Sequence, residues 1–459
     1  MMAVYLDMET GTERECQLVD YSRFALPQLE RTYGYHEFRP GQLEAVNAIV
    51  NGRDLLAVMP TGSGKSVCYQ LPALRPGTFT LVVSPLRALM RDQVHALRSR
   101  GVHAALADSG ITPGDRQRIY QEAIEGGLQL LYAAPERLLS HEFLEFARRI
   151  RIDLLAVDEA HCVLQWGFDF RPSYMRISRF ISLLPHRPVI AAFTATASPP
   201  QIPKIAEGLD LVQPIRVSTG FDRPNIRFDS VHIAPKARSN YILGWAEHHK
   251  GSGIVYCNTI KGCDRIAERL SDIDVDASAF YAPMSDERKA KIQDGFLKGS
   301  PRVICATTAF GMGVDKPDVR WVINNGPCES LEAFYQEAGR AGRDGKPSRN
   351  VVLWNDRDFD DWHFRLKGNA GSAIEDPQAR GRAEQEAFDR LESMHGYCRT
   401  RSCLRHAILS YFGDQAPETC GNCRKNRKTD TVTKTPAGKR KNGTAEPKKN
   451  GKKNGETIP

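Results

Sequence analysis

A glycine-rich segment with a lysine and a serine follows a short apolar run in the first part of the chain. Leu55–Val58 is apolar throughout and predicts a buried strand, and Gly62–Ser66 supplies two glycines and a Lys-Ser pair. A strand, a glycine turn and a Lys-Ser pair that opens a helix is how proteins wrap backbone N–H groups around a triphosphate. We therefore expect Lys65 to contact the β- and γ-phosphates and the Ser66 hydroxyl to bind Mg²⁺. The usual pattern has glycine at Met59, so a chance turn is the alternative.

Two adjacent carboxylates end a second apolar run. Leu154–Val157 predicts a strand, and Asp158 and Glu159 come directly after it. Ligands and catalytic groups gather at the carboxyl ends of strands in α/β sheets. We expect Asp158 to bind the Mg²⁺ shell and Glu159 to orient or deprotonate an attacking water. The alternative is an exposed acidic pair, which the phosphate loop upstream disfavours.

Strands alternating with helices must position these residues. Each series has five short apolar runs, and the pattern predicts two α/β lobes with parallel sheets. The runs are Leu55–Val58, Thr80–Ser84, Leu128–Ala133, Leu154–Val157 and Val189–Phe193, then Gly253–Cys257, Ala277–Tyr281, Arg302–Ala306, Arg320–Ile323 and Asn350–Leu353. The segment Ser218–Asn225 contains Gly220 and Pro224 and is typical of a linker.

The domain organisation follows from these patterns. We predict an N-terminal extension over 1–20, lobe 1 over 21–218, lobe 2 over 219–355, a small helical subdomain over 356–427 and a tail over 428–459. The first 20 residues show no clear period, so we expect them to fray. The tail is rich in Lys, Asn, Gly, Thr and Pro, which predicts disorder because it has too few apolar residues to offset ordering entropy.

Charge and hydropathy exclude some classes of protein. The chain carries a net charge of +8, but residues 424–459 alone carry +9, so the rest is close to neutral. The basic balance is therefore no evidence that the lobes bind nucleic acid. No apolar run approaches the roughly 20 residues of a membrane span. Asp7 and Glu9 stand where a secretory signal would be apolar, so we expect a cytoplasmic (nucleoid) protein in a bacterium or a nuclear one in a eukaryote.

The motifs together resemble the RecQ family of superfamily 2 DNA helicases. The segments that carry the resemblance are Phe38–Gln42, Met59–Ser66, Asp158–His161 and Gln165–Pro172. Within this resemblance Met59 is no defect, because the family's loop begins without the first glycine. The resemblance implies two tandem RecA-like lobes, a zinc-type subdomain, ATP and Mg²⁺ as ligands, and single-stranded or tailed duplex DNA as partner. It also implies 3′ to 5′ helicase activity in DNA repair and recombination; membranes and particular protein partners are not implied.

The resemblance assigns nucleotide contacts in lobe 1. Gln42 would bind adenine through its amide, with Arg39 nearby and Tyr35 stacked on the base, although Tyr35 also fits an ordinary half-buried aromatic. The phosphates would lie on the loop itself: Thr61, Gly62, Ser63, Gly64, Lys65 and Ser66.

DNA contacts are expected from an aromatic-rich loop. Trp166, Phe168 and Phe170 alternate with polar residues, and aromatic faces stack on bases of any sequence. A core strand with aromatics on one face is the alternative, but the neighbouring Arg171 favours an exposed loop. The resemblance further implies that this loop couples DNA contact to ATP hydrolysis and that Thr307, in motif V, contacts the DNA backbone.

Lobe 2 supplies a pair of arginines. Arg340 and Arg343 stand at i and i+3, near the end of a predicted helix that also carries Gln336. The resemblance implies that they reach the γ-phosphate, with Arg343 as the arginine finger and Arg340 as its partner. The alternative is a solvated helix end. Because the lysine and carboxylates are in lobe 1, the site would be complete only when the lobes close.

Eleven cysteines are present, and the last four cluster. Cys420 and Cys423 with Cys403 upstream have the spacing of a zinc site. The family's fourth cysteine position holds Asn426, so three interpretations stay open: a weakened site, a fourth ligand such as Cys398 or His406, or a fold without metal.

Two features of the chain after Cys423, the small number of residues and their high lysine content, leave the activity open. We expect too few residues after Cys423 for the family's winged-helix and C-terminal helical domains. One alternative is therefore a DNA-stimulated ATPase that translocates or anneals strands with little unwinding. A nucleic-acid-binding protein with a vestigial ATP site, or an RNA helicase, are further alternatives. Lysine-rich tails bind phosphate without sequence preference, although a solubilising tail is equally consistent.

Overall fold

Two wide parallel sheets, one in each lobe, dominate the computed structural model of the chain. It describes residues 1–108, 110–164, 173–310, 316–367, 374 and 376–428, with the side chains of Ala88 and of 424–428 left out. Residues Met1–Lys428 form one compact unit, and the second unit, Thr429–Pro459, lies outside the described residues, as does the predicted disorder of the tail. No helix in the described ranges is long and apolar enough to cross a membrane.

The first lobe contains nine strands and eight α-helices in its described residues. The strands are β1 (Met2–Leu6), β2 (Glu13–Gln17), β3 (Leu55–Val58), β4 (Thr80–Val83), β5 (Ala104–Ala107), β6 (Leu130–Ala133), β7 (Leu154–Val157), β8 (Val189–Thr194) and β9 (Ile215–Ser218). The helices are α1 (Ser22–Tyr33), α2 (Gln42–Val50), α3 (Lys65–Gln70), α4 (Arg87–Ser99), α5 (Pro113–Ile124), α6 (His141–Arg149), α7 (Ile177–Ser182) and α8 (Gln201–Gly208).

The second lobe and the helical region that follows complete the described fold. The strands are β10 (Ile226–His232), β11 (Ser252–Cys257), β12 (Ala277–Phe280), β13 (Val303–Ala306), β14 (Val319–Asn325), β15 (Ser348–Trp354) and β16 (Arg424–Lys428). The helices are α9 (Pro235–His248), α10 (Ile260–Ser271), α11 (Asp286–Lys298), α12 (Leu331–Ala338), α13 (Asp356–Leu366), α14 (Pro377–Arg399) and α15 (Leu404–Tyr411).

The predicted pair of parallel sheets is confirmed. The first sheet has the order β2-β1-β9-β3-β8-β7-β4-β6-β5 and the second β12-β13-β11-β14-β15-β10-β16. All pairs are parallel except β1 with β2 and β1 with β9. Central strands such as β3, β4 and β7 are buried along their whole length. This is why their sequences are continuously apolar rather than alternating.

The expectation that the first 20 residues fray is wrong. β1 and β2 form an antiparallel hairpin, and Tyr5 pairs with Ile215 so that the hairpin extends the first sheet beyond β9. Leu6 and Leu18 are buried. The pattern was missed because β2 is largely exposed and has no apolar face.

β3, which leads into the phosphate loop, is anchored at its amino end by a buried carboxylate. Asp54 accepts backbone N–H groups from Ile190, at 2.9 Å, and from Val212, at 2.8 Å. Its oxygens also accept two hydrogen bonds from the guanidinium of Arg187. One side chain therefore fixes β3 against β8 and against the turn before β9.

We predict that Asp54→Ala destabilises the first lobe by about 2 to 4 kcal/mol, because two buried N–H groups and a guanidinium lose their acceptor. Urea unfolding followed by circular dichroism measures the change. Asp54→Asn, which keeps one acceptor oxygen, should lose less, and the exposed Asp272→Ala serves as control. Equal midpoints for Asp54→Ala and the control would contradict the assignment.

Candidate functional site

The phosphate loop is shaped by two glycines in the left-handed region. Gly62 and Gly64 have φ of +86° and +84°, where other residues are strained. The Met59 N–H donates to Thr194 O of β8 at 2.9 Å, which fixes the start of the loop to the sheet. α3 then begins at Lys65, so the first N–H groups of this helix face the loop.

Lys65 and Ser66 lie where the loop meets α3. The Lys65 ammonium donates to Met59 O at 3.0 Å, across the loop that precedes it. The Ser66 hydroxyl accepts from the Gln93 amide at 3.1 Å. A positive charge and a hydroxyl are thus held at the end of a buried strand, as the sequence predicts.

Gln42 and Arg39 contact the loop, a role that sequence reasoning missed. The Gln42 amide nitrogen donates to Ser63 O and Gly64 O, both at 3.1 Å, and its oxygen accepts the Arg39 N–H at 2.9 Å. The Arg39 guanidinium donates to Gly62 O at 2.7 Å. A β-carbon on Gly64 would lie 2.4 Å from the Gln42 nitrogen, so this contact requires glycine.

The predicted adenine contact by Gln42 is not tested by the structure and stays a prediction. The amide nitrogen and oxygen of Gln42, which are expected to bind adenine, are here hydrogen-bonded to the loop and to the Arg39 backbone. The Tyr35 ring is 48% exposed and lies parallel to Tyr33 with centroids 6.4 Å apart. Tyr35 therefore offers accessible aromatic surface, as stacking on a base would require.

The carboxylate pair sits at the carboxyl end of β7. Asp158 accepts the Glu159 N–H at 3.0 Å and the Ser84 hydroxyl at 3.4 Å, and Tyr174 donates to the Asp158 carbonyl at 2.8 Å. Burial, followed by the charge of Glu159, raises the pKa of Asp158 to about 6. Two carboxylates confined in this way favour a cation beside them.

A series of polar contacts leads from Glu159 through His161 to Gln336 of the second lobe. The His161 Nδ1 lies 3.4 Å from Glu159 Oε2 and 2.9 Å from Thr194 Oγ1. Gln336, on α12, donates its amide to Thr196 Oγ1 at 2.9 Å and lies 3.4 Å from His161 Nε2. The structure thus brings the predicted Gln336 to the acidic pair through three residues of lobe 1. His161 belongs to the acidic motif of the sequence, and Thr194 and Thr196 lie in a segment whose resemblance to the family implies a relay between the ATP site and the DNA site.

The expectation that Arg340 and Arg343 lie on a helix is wrong, because α12 ends at Ala338 and both arginines lie in the turns that follow it. A β-carbon built on Gly62 would lie 4.0 Å from both Cγ and Cδ of Arg343, so the Arg343 stem is beside the loop. Arg340 and Arg343 share a small cavity with Phe310 and Lys316. Both side chains are half-buried. The site is therefore assembled from both lobes.

Arg223, in the linker, holds the loop that carries these arginines. One guanidinium nitrogen donates to Gly339 O at 2.8 Å, and the other donates to Ala341 O at 2.8 Å and Gly342 O at 3.1 Å. Arg405 of α15 in turn donates to two linker carbonyls, Arg223 O and Pro224 O, and to Ile226 O at the start of β10. The orientation of the arginine loop thus depends on the linker and on the helical region.

The structure describes only part of the set of predicted DNA-contact residues. Trp166, Phe168, Phe170 and Arg171 lie outside the described residues. Thr307 follows β13 directly, and its N–H donates to Phe280 O at 3.2 Å. Its half-buried side chain stands at the carboxyl edge of the second sheet.

Three thiols gather near α15, one directly before the helix and two after it. The sulfurs of Cys403, Cys420 and Cys423 all lie within 4.8 Å of one another, and Cys398 and His406 are not part of this group. Although burial opposes it, backbone N–H groups and neighbouring thiols lower the pKa of Cys420 to about 7. Burial and the contact with Cys420 raise the pKa of the partner Cys423, so of these two thiols only Cys420 is shifted toward the thiolate that binds zinc. Asn426 lies in β16, whose side chains are outside the described part of the chain.

Three family models match successive parts of the chain. The DEAD/DEAH box helicase model matches residues 39–205, the helicase conserved C-terminal domain matches 236–345, and the RecQ zinc-binding model matches 357–425. A protein of Bacillus subtilis (strain 168), ATP-dependent DNA helicase RecQ, is 40% identical over 86% of this chain and 65% of its own length. A putative ATP-dependent RNA helicase of Acanthamoeba polyphaga mimivirus is 34% identical over 86% of this chain and 70% of its own.

The chain belongs to the RecQ family of helicases. The match spans 61 to 65% of the length of three bacterial RecQ relatives. Among solved structures, Mycobacterium smegmatis helicase Lhr bound to single-stranded DNA and AMP-PNP has a TM-score of 0.58 at 22% identity. That match covers 82% of this chain and 57% of the Lhr chain. At this identity the likeness shows the fold alone.

The RecQ zinc-binding match includes the three-thiol group, and its chemistry fits zinc. We predict that the purified chain holds about one zinc ion, and that Cys420→Ser loses it because two thiolates bind zinc weakly. Elemental analysis of the purified protein measures this. Cys16→Ser, in β2, is the matched control. A metal content that stays the same in Cys420→Ser would contradict the site.

Proposed function

We propose that this RecQ-family chain is an ATP-dependent DNA helicase that translocates 3′ to 5′ on single-stranded DNA and unwinds tailed duplexes during DNA repair and recombination. The observation that carries the proposal is the divided site. Gln336 of lobe 2 bonds Thr196 of lobe 1, and Arg343 lies beside Gly62. The polarity and the repair role are supported by family membership alone. A protein that acts on DNA is expected in the nucleoid of a bacterium or in the nucleus of a eukaryote.

Each residue then has a chemical task. Lys65 and the loop N–H groups bind the phosphates of ATP, and Glu159 orients the attacking water. Arg343, with Arg340 as partner, offsets the charge that develops on the γ-phosphate; in related phosphoryl-transfer enzymes such an arginine accelerates the reaction by roughly 10³- to 10⁵-fold.

The buried carboxylates indicate that a divalent cation fits this site. Burial and the charge of Glu159 raise the pKa of Asp158, and a nearby cation would stabilise both negative charges. Asp158 and Ser66 would hold Mg²⁺, which supplies charge neutralisation of the phosphates when bound.

Movement follows from the division of the site. ATP that binds both Lys65 and Arg343 favours closed lobes, and loss of the γ-phosphate removes that link. If Thr307 and the aromatic loop hold one strand from the two lobes, each cycle of closure and opening moves the strand by a step.

The test compares ATP hydrolysis and strand displacement on duplexes with a 3′ or a 5′ single-stranded tail. We expect displacement of the 3′-tailed duplex, and Lys65→Ala should abolish both activities because the phosphates lose their cation. Full turnover in Lys65→Ala would refute the motor. Hydrolysis without displacement would select the DNA-stimulated ATPase instead. Faster displacement of an RNA duplex would select the RNA helicase that the name of the mimivirus relative suggests.

Arg223 provides a second prediction about turnover. Arg223→Ala should lower kcat for ATP about 10- to 100-fold with little change in KM, because the arginine loop loses three hydrogen bonds while the phosphate loop is untouched. Arg357→Ala, an exposed arginine on α13, is the control. Arg223→Lys should recover only part of the rate, since one ammonium cannot match the two-nitrogen fork. A rise in KM at constant kcat would overturn this role.

A further inference from the structure

A basic cleft opens at the amino ends of four adjacent strands of the second sheet: β11, β14, β15 and β10. Its volume is about 610 Å³, within the range of ligand sites. Its described lining has no acidic side chain and contains four Lys or Arg and two His: Arg227, His248, His249, Lys250, Arg320 and Arg349. Thr307 follows the carboxyl end of β13, so this cleft lies at the opposite edge of the sheet.

Two of the four cations keep their charge uncompensated. Arg227 lies 3.5 Å from the Asp229 carboxylate, and Arg320 lies 2.7 Å from that of Asp344. Within the described residues, Lys250 and Arg349 have no carboxylate within 4 Å. Two positive charges therefore face the cleft without an acidic partner.

Arg349 is held in place by neutral groups. Its guanidinium contacts His249 Nε2 at 3.2 Å and lies 5.7 Å from the centre of the Trp245 ring. The His249 Nδ1 contacts Trp245 O at 3.0 Å, and the two rings stack with centroids 3.9 Å apart. Burial, with the charge of Arg349, lowers the pKa of His249, which keeps the imidazole neutral and able to accept. The arginine is thus preorganised at full charge.

Lys250 is placed at the rim by a tight turn. Gly251 has a φ of +88°, and a β-carbon there would lie 2.6 Å from Cγ of Arg320. The backbone after α9 therefore passes directly over the Arg320 stem, which only glycine allows. Lys250 itself is exposed beside this turn.

We propose that this cleft binds the phosphate backbone of a nucleic-acid strand, as a contact additional to the motor's own. Repeated cations over an open cleft match the repeated anions of a phosphodiester chain. The planar fork of Arg349 suits phosphate oxygens. Two residues after Asn422, in the cleft lining, the chain enters β16, the outermost strand beside β10, where four of the five residues are Lys or Arg. This extent favours a long polyanion over a short acidic peptide.

The test measures binding of a fluorescent single-stranded oligonucleotide to the full chain without nucleotide, over a range of salt concentrations. Lys250→Ala with Arg349→Ala should weaken binding and reduce the slope of log K against log salt by about 1.4, the value for two lost phosphate contacts on a single strand. Arg118→Ala with Arg149→Ala, which removes two exposed charges from lobe 1, should leave the slope unchanged. Lys250→Glu, at an exposed position, keeps the test valid if the double variant does not fold.

Other outcomes would overturn the proposal. An unchanged slope in the double variant and in Lys250→Glu would exclude the cleft as a nucleic-acid contact. Loss of binding to inorganic phosphate or to an acidic peptide, with oligonucleotide binding intact, would assign the cleft to those ligands. The measurement is independent of the motor, since Lys65→Ala should keep the full salt slope, and the cleft variants should keep ATP turnover at saturating DNA.

Discussion

A phosphate site divided between two lobes needs contacts across the gap that hold the parts in register and can still break. The amide of Gln336 provides one such contact, at 2.9 Å from Thr196. A hydrogen bond of this kind contributes about 0.5 to 1.5 kcal/mol, because water can replace either partner. The lobes can therefore separate at moderate cost. The accuracy of the closed state has to come from elsewhere in the fold.

That accuracy comes from the linker and the helical region. Phe221 stacks on Phe412 with ring centroids 4.2 Å apart, and the Tyr335 hydroxyl donates to Phe221 O at 2.8 Å. Tyr335 is the residue before Gln336 on α12. Together with the hydrogen bonds of Arg223 and Arg405, these contacts form one packed unit. It contains the region of the three clustered cysteines, the linker and the loop that carries Arg340 and Arg343. The helical region therefore supports the nucleotide site although none of its described residues lies among those assigned to that site.

The sequence predicts those features that a local pattern records. Every apolar run chosen as a strand is a strand, because parallel strands covered on both faces must be apolar throughout. The same reasoning missed β5, a short run of alanine and leucine, and it missed β9 and β10, which flank the linker and carry polar residues within the strand. It also missed the contacts of Gln42 and Arg223 with backbone carbonyls. Every residue has a backbone carbonyl, so a long-range hydrogen bond to a carbonyl requires no particular residue type in the partner.

The hairpin at the start of the chain has a consequence for the molecule in a crowded solution. An open sheet edge exposes unpaired N–H and C=O groups that can template pairing with another chain. The outer strand β2 has the sequence Glu-Arg-Glu-Cys-Gln, and the outer strand β16 has Arg-Lys-Asn-Arg-Lys. One edge of each sheet thus ends in a strand dense in charge, and charged side chains on an edge strand hinder pairing with a second copy. These edge strands protect two wide sheets from self-association.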